Sequence, residues 1–200
     1  MENKLRGKSL LVQSPPWGSY APPLGIAYLV TFLKSQGFNS GIYDLNMDIF
    51  LNSPKEVREK WDTQDFEFWA SGKAVDSLNG QMDNLVGKIL SFDAGIIGFS
   101  ATFASVPFLN KLLSMLRNKA AGNGLTIVIG GGGASYKEGR SLFKKDLIDY
   151  FVIGEGECPL LCLLKDAQSG NIFPVDSNCV AWKDYPLDHA VCLKAVRPEL

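Results

Sequence analysis

The sequence predicts a three-layer, doubly wound α/β fold on a five-stranded parallel sheet. Three observations carry that expectation. Five short apolar runs alternate with stretches of helical spacing. Each run ends in a loop of glycine, proline or small polar residues. The runs themselves hold little polar content, as strands buried on both faces should.

The first strand spans residues 9–13. A loop with four prolines follows, from Ser14-Pro15-Pro16-Trp17 through Tyr20 to Pro22-Pro23. Proline fixes φ and removes a donor, so this stretch is a stiff turn carrying two aromatic side chains. From Leu24 the residues Ile26, Leu29, Val30 and Leu33 recur at helical spacing, and Gly37 is placed to stop that helix. Residues 40–45 form the second strand, closed by Asn46, which completes a βαβ unit.

Residues 47–72 break the alternation. A short helix over 54–61 starts near Pro54. Phe66, Phe68 and Trp69 crowd an otherwise polar stretch, and they either pack onto the domain or cover a ligand. Helical spacing resumes over 72–91. The third strand covers 95–100, and Val106, Leu109, Leu112, Leu113 and Leu116 mark the next helix. The fourth strand, 125–129, ends in the glycines 130–133, and a short helix follows over 135–143. The fifth strand, 150–153, ends in Gly154-Glu155-Gly156-Glu157, and a last helix lies between Pro159 and Gly170. The favoured strand order is the flavodoxin-like 2-1-3-4-5. Residues 1–170 thus form the α/β domain. Residues 171–200 lack periodicity, and read as an edge strand at 179–182 and a linker toward a further domain.

Composition narrows the function classes. A net charge of −1 leaves no electrostatic footprint for nucleic acid or an anionic membrane. No apolar run approaches the ~20 residues that span a bilayer. The polar N-terminus lacks a signal-peptide core, so the expected address is the cytoplasm. Cys158, Cys162, Cys179 and Cys192 do not read as a disulfide framework. Cys158 and Cys162 are spaced for one helix face, but a cluster site would need a third cysteine where Lys165 stands; two buried, small apolar side chains is the plainer reading. His189 is the only histidine, which leaves no multi-histidine zinc site, and an exposed tail residue is its bland reading.

In open α/β sheets ligands bind outside the carboxyl ends of the strands. The loops there hold Ser14, Pro15, Pro16, Trp17 and Tyr20, then Ser100, Ala101 and Thr102, then Gly131, Gly132 and Gly133, and last Gly154, Glu155, Gly156 and Glu157. The glycine run lacks the Lys-Ser/Thr of a Walker loop, and a proline-rich loop occupies the place of a dinucleotide fingerprint. Four glycines permit close approach, whether of a flat ligand or of a neighbouring element. Glu155 and Glu157 either cap the following helix or face a ligand.

Taken together, Ser14-Pro15-Pro16, Pro22-Pro23-Leu24-Gly25-Ile26-Ala27-Tyr28-Leu29, Gly37-Phe38, Tyr43-Asp44-Leu45-Asn46, Ile97-Gly98-Phe99-Ser100, Ile127-Val128-Ile129-Gly130-Gly131 and Val152-Ile153-Gly154-Glu155-Gly156-Glu157 form a recognisable series. It resembles the N-terminal cobalamin-binding domain of cobalamin-dependent radical S-adenosylmethionine enzymes, over residues 9–165. The resemblance implies a Rossmann-like cobalamin-binding fold that holds the cofactor over the carboxyl edge. By motif position the first loop flanks the corrin, Ser100 to Thr102 and Gly130 to Gly133 line the nucleotide tail, and Gly154 to Glu157 complete the far wall. The Asp-x-His-x-x-Gly motif that supplies a cobalt ligand in other cobalamin proteins is missing, and no residue here replaces it. The Cys-x-x-x-Cys-x-x-Cys motif is absent too, as expected if the chain stops before the catalytic barrel. The [4Fe-4S] cluster and S-adenosylmethionine are therefore expected only in a downstream radical domain, with methyl transfer as the outcome in the whole enzyme. Two other readings stay open: a cofactor-free docking domain of the same family, and a flavin- or nucleotide-binding protein, which the prolines of the first loop disfavour.

Overall fold

The structure is a computed structural model that describes residues 8–61, 65–122, 124–169 and 194–196. Five parallel strands form its centre: β1 (Lys8–Gln13), β2 (Asn39–Tyr43), β3 (Ile96–Ser100), β4 (Thr126–Gly130) and β5 (Tyr150–Ile153). A sixth, β6 (Lys194–Val196), pairs antiparallel with β5, giving the order β2-β1-β3-β4-β5-β6. The edge strand expected at 179–182, and His189, lie outside the described residues.

Among the described residues ten helices flank the sheet: α1 (Leu24–Ser35), α2 (Leu45–Asn52), α3 (Lys55–Arg58), α4 (Phe66–Ala70), α5 (Lys73–Leu78), α6 (Met82–Ser91), α7 (Val106–Lys119), α8 (Gly132–Ser135), α9 (Lys137–Ser141) and α10 (Glu157–Ser169). Gly37 takes φ +84° behind α1, and the Phe38 N–H reaches back 3.0 Å to the Leu33 carbonyl, satisfying an orphan acceptor of the last turn. The second strand ends at Tyr43 rather than at Leu45. Asp44 accepts the Met47 N–H at 2.9 Å and caps α2, so Leu45 and Asn46 are helical. The helical spacing over 72–91 breaks into α5 and α6 around a 3-10 turn at Asn79–Gln81; the helix expected over 135–143 is the shorter α9, and α8 precedes it, starting within the glycine run.

The side chains of β1, β3, β4 and β5 alternate between two cores. Leu10, Val12, Ile97, Phe99, Ile127, Ile129 and Phe151 join α6, α7 and the inserted helices in the larger one. Leu11, Ile96, Val128 and Val152 pack against Ile26, Val30 and Leu33 of α1 and Leu160, Leu161 and Leu164 of α10 in the smaller. The inserted aromatics pack inward. Trp69 is fully buried and Trp61 nearly so, and edge-on contacts run from Phe50 to Trp61 (5.4 Å), Trp61 to Trp69 (4.9 Å) and Trp69 to Phe108 (6.5 Å). Phe66 alone of the group points outward. At the amino edge Arg117 binds the Leu125 and Leu147 carbonyls and Asp149, whose carboxylate also accepts the Ile127 N–H at 2.7 Å.

One polar network ties β2, α2 and α6. Lys88 donates to both Asp48 oxygens at 2.9 and 2.6 Å, and the Tyr43 hydroxyl donates to the same carboxylate. Burial pushes the Asp48 carboxyl up, but the bonds from Lys88 and Tyr43 outweigh it and leave the group below its usual range. Burial first, then the Asp48 bond and charge, push the Tyr43 hydroxyl up. A carboxyl lowered in the fold stabilises fully above its unfolded value of about 3.9 and stops doing so as pH falls through the lower folded value. Asp48→Asn is therefore expected to unfold at lower urea than the parent near pH 7. The two should converge as pH falls through the lowered folded value; a gap that does not change with pH would show that the charge on Asp48 is not what stabilises.

Candidate functional site

One cleft opens at the carboxyl edge, on the face covered by α1 and α10. Its volume is ≈ 260 Å³. Strand register explains where it comes from. Gln13 is level with Ser100, and Ser100 with Gly130, which lies beside Val152. One layer further in, Leu11 is level with Gly98, and Gly98 with Val128. Both layers present this face, and in each a glycine omits a side chain. The two omissions differ in effect. A Cβ on Gly98 would lie 2.8 Å from Leu11 Cδ2, so Leu11 already occupies that space. A Cβ on Gly130 would meet nothing nearer than Val152 at 3.9 Å. That opening is the floor of the cleft.

The walls come from Pro23, Gly25, Ile26, Tyr28 and Leu29 on one side and Gly154, Glu155, Gly156, Glu157 and Leu160 on the other. Trp17 closes the mouth, 42% exposed. Of the residues singled out in the sequence, Trp17, Ser100, Gly131, Gly154, Glu155, Gly156 and Glu157 line the cleft. Ser14, Pro15 and Pro16 are buried beneath the first loop, and Tyr20 projects into solvent at 88% exposure. Ala101 is buried, with its N–H on the Gly130 carbonyl. The Thr102 hydroxyl is held by Ser105 at 2.9 Å in a cap before α7, leaving Ser100 as the hydroxyl that faces the cleft.

The glycine run divides in two. Gly131, at φ +83°, and Gly133 would each bring a Cβ to 2.9 Å from a carbonyl of the β3 loop, at Ala101 and Thr102 respectively. These two serve loop packing, and the Gly133 N–H seals it with a 2.8 Å bond to the Ala101 carbonyl. Gly132 faces open space and Gly130 faces the cleft.

Gly130 was placed with Gly131 to Gly133 along the nucleotide tail, and it lines the cleft. Gln13, Gly25, Leu29 and Leu160 were not singled out as site residues, because Gln13 ends a strand and the other three sit at apolar or small positions that read as core. Asn46 was read as a strand terminator, yet it fixes the mouth. Only 1% exposed, it accepts the Trp17 N–H at 2.9 Å and the Trp61 Nε1–H at 2.8 Å on the same Oδ1. Both partners are donors, so the amide cannot be turned round, and its Nδ2 is left buried with no hydrogen-bond partner among the described residues. A buried amide donor left so costs about 1–3 kcal/mol. Among the described residues no three His, Cys, Asp or Glu side chains gather as a metal site, and no helix is long and apolar enough to cross a membrane. Cys158 is buried, as expected of a small apolar side chain, whereas Cys162 is disulfide-bonded, contrary to that reading.

Residues 17–163 match the family model described as the B12 binding domain. The chain belongs to the B12-binding domain family. Two solved structures share its fold, both of the radical S-adenosylmethionine methyltransferase TsrM from Kitasatospora setae. The one with cobalamin and a [4Fe-4S] cluster bound is 19% identical, with a TM-score of 0.52 over 83% of this chain and 25% of that one. The one with tryptophan substrate and the analogue aza-SAM bound is 18% identical, with a TM-score of 0.50 over 83% of this chain and 26% of that one. The B12-binding chain thus spans about a quarter of the length of these neighbours. No curated protein matches it. The matched segment contains every cleft residue except Leu11 and Gln13.

Asn46→Leu removes the shared acceptor while keeping side-chain volume. Amide hydrogen exchange over the first loop is expected to lose the protection of the Trp17 N–H, with the sheet amides unaffected. Unchanged exchange at Trp17 would show that the loop is held without Asn46.

Proposed function

We propose that this chain binds cobalamin at the carboxyl edge of the sheet, as the N-terminal module of a radical S-adenosylmethionine enzyme. The observation that carries the reading is the cleft opened at Gly130, inside the segment matched to the B12-binding domain. Its residues fit the cofactor. The side chains are mostly apolar, the floor lacks a Cβ that the backbone there would tolerate, and the volume suits the compact nucleotide end. The corrin, wider than the cleft, is left to the rim around Trp17. When bound, cobalamin supplies a cobalt centre that can carry an alkyl group. The part played by this chain is to bind and orient: Ile26, Leu29, Val152 and Leu160 exclude water, and Trp17, steadied by Asn46, forms the outer wall.

Electrostatics favours this over the flavin or nucleotide reading. No lysine or arginine lines the cleft, and two of its residues, Glu155 and Glu157, are acidic. A terminal phosphate dianion would find no counter-charge there. The phosphodiester of cobalamin is balanced by its own cobalt–corrin cation. In the whole enzyme the cluster and S-adenosylmethionine belong to a further, radical domain, and methyl transfer is the outcome. The exposed Tyr20, Leu24 and Tyr28 also suit a docking module that has lost the cofactor. One titration separates the two.

Hydroxocobalamin added to the purified chain is expected to show a saturable spectral shift and to co-elute at micromolar concentration. Gly130→Val places a side chain in the cleft without a clash at Cβ, and should abolish binding while the thermal midpoint holds. Trp17→Ala should weaken binding about 10-fold or more, equivalent to about 1.4 kcal/mol, and Tyr20→Ala much less. Binding by Gly130→Val equal to the parent would place the cofactor elsewhere; no binding by the parent would leave the docking module.

A further inference from the structure

Among the described residues two side-chain atoms are buried without a hydrogen-bond partner, Ser14 Oγ and Asn46 Nδ2. They come from different elements, and both lie beneath the first loop. Ser14 follows β1, and its N–H continues the ladder to the Ser100 carbonyl at 3.2 Å. Strand alternation therefore sends its side chain to the Leu10 and Val12 side, where Leu45 and Ile49 of α2 pack. Asn46 is the second residue of α2, and it holds the N–H of Trp17, three residues beyond Ser14. Ser14 is 0% exposed and Asn46 1%. Groups this buried normally have their hydrogen bonds met.

The chemistry of the pair specifies what meets them. The Trp17 N–H and the Trp61 Nε1–H fix the sense of the Asn46 amide, so the unmet atom is Nδ2, which only donates. A cation is thereby excluded. An anion would be enclosed by neutral groups, since among the described residues no lysine or arginine bonds either side chain. What remains is a small neutral molecule that accepts from an amide and also bonds a hydroxyl. We propose that one buried water bridges Ser14 and Asn46, accepting from Nδ2 and hydrogen-bonding the Ser14 hydroxyl. The water ties the end of β1 to α2 beside the Trp17 bond, so the first loop is seated by two links rather than one. Immobilising it carries an entropy cost of its own. The bridge belongs to the protein's own fold and does not rest on the cobalamin reading.

The test is a high-resolution crystal structure of the whole chain, paired with a Ser14→Ala variant. The parent is expected to hold one ordered water within hydrogen-bond distance of both Ser14 Oγ and Asn46 Nδ2. Ser14→Ala should lose that water or hold it at reduced occupancy, with the sheet unchanged. Its Trp17 N–H should exchange about 3- to 10-fold faster, the size of one neutral hydrogen bond. A parent structure in which no water touches both atoms, or in which Ser14 Oγ bonds Asn46 Nδ2 directly, overturns the proposal, whether or not the variant folds. So does a Ser14→Ala variant that keeps the water at full occupancy or the parent's exchange rate at Trp17.

Discussion

Everything at the carboxyl edge depends on the register of β1, β3 and β4. Parallel strands in register align side chains of one face in layers, so a single omitted Cβ leaves a hole rather than a slack surface. The outermost layer on the α1 side runs Gln13, Ser100, Gly130, Val152. Had the register of β4 slipped by one, Ile129 would take the place of Gly130 and the floor would close. The Arg117 and Asp149 network at the amino edge, binding backbone groups near the starts of β4 and β5, holds that register from the far end of the strands.

The two faces of the sheet divide the labour. The larger core holds the aromatic contacts of Trp61, Trp69 and Phe108 together with long runs of fully buried leucines. Burial of that kind is worth about 1.5–3 kcal/mol for each large side chain. The smaller core, between sheet, α1 and α10, is interrupted by the cleft. A domain that must keep one face incompletely packed needs its stability from the other. The insertion after β2 fits this need, since four of its aromatics thicken the larger core.

The five parallel strands and their order were legible in the sequence, because apolar runs buried on both faces leave a signal that needs no partner to interpret. So were the loops that gather at the carboxyl edge. The cleft itself was less so. Gly98 and Gly130 look alike along the chain, and only Leu11 leaning across from β1 makes one a filled position and the other a void. In the glycine run, Gly131 and Gly133 are claimed by the β3 loop, a contact between residues thirty positions apart in the chain. The Thr102 hydroxyl was expected to face a ligand, but Ser105 lies three residues on and captures it in a cap. Asn46 was misread for a related reason: Asp44 is a capping residue type, and a cap directly after an apolar strand moves the strand end back.

Asn46 also shows why the first loop and the insertion belong to one unit. The prolines stiffen the loop but cannot say where it points, since fixed φ angles constrain shape and not docking. Docking comes from one oxygen that accepts from the loop backbone at Trp17 and from the insertion side chain at Trp61. Either donor alone could be served by water at the surface. Serving both at 1% exposure requires the insertion to be packed in place, and it leaves the Asn46 Nδ2 unmet among the described residues. A group kept at that cost is better explained by what it positions than by what it stabilises. What it positions is the one aromatic side chain that closes the mouth of the cleft. The outer wall of the site is therefore set by the larger core on the opposite face of the sheet, and the face that supplies stability also decides the shape of the face that binds.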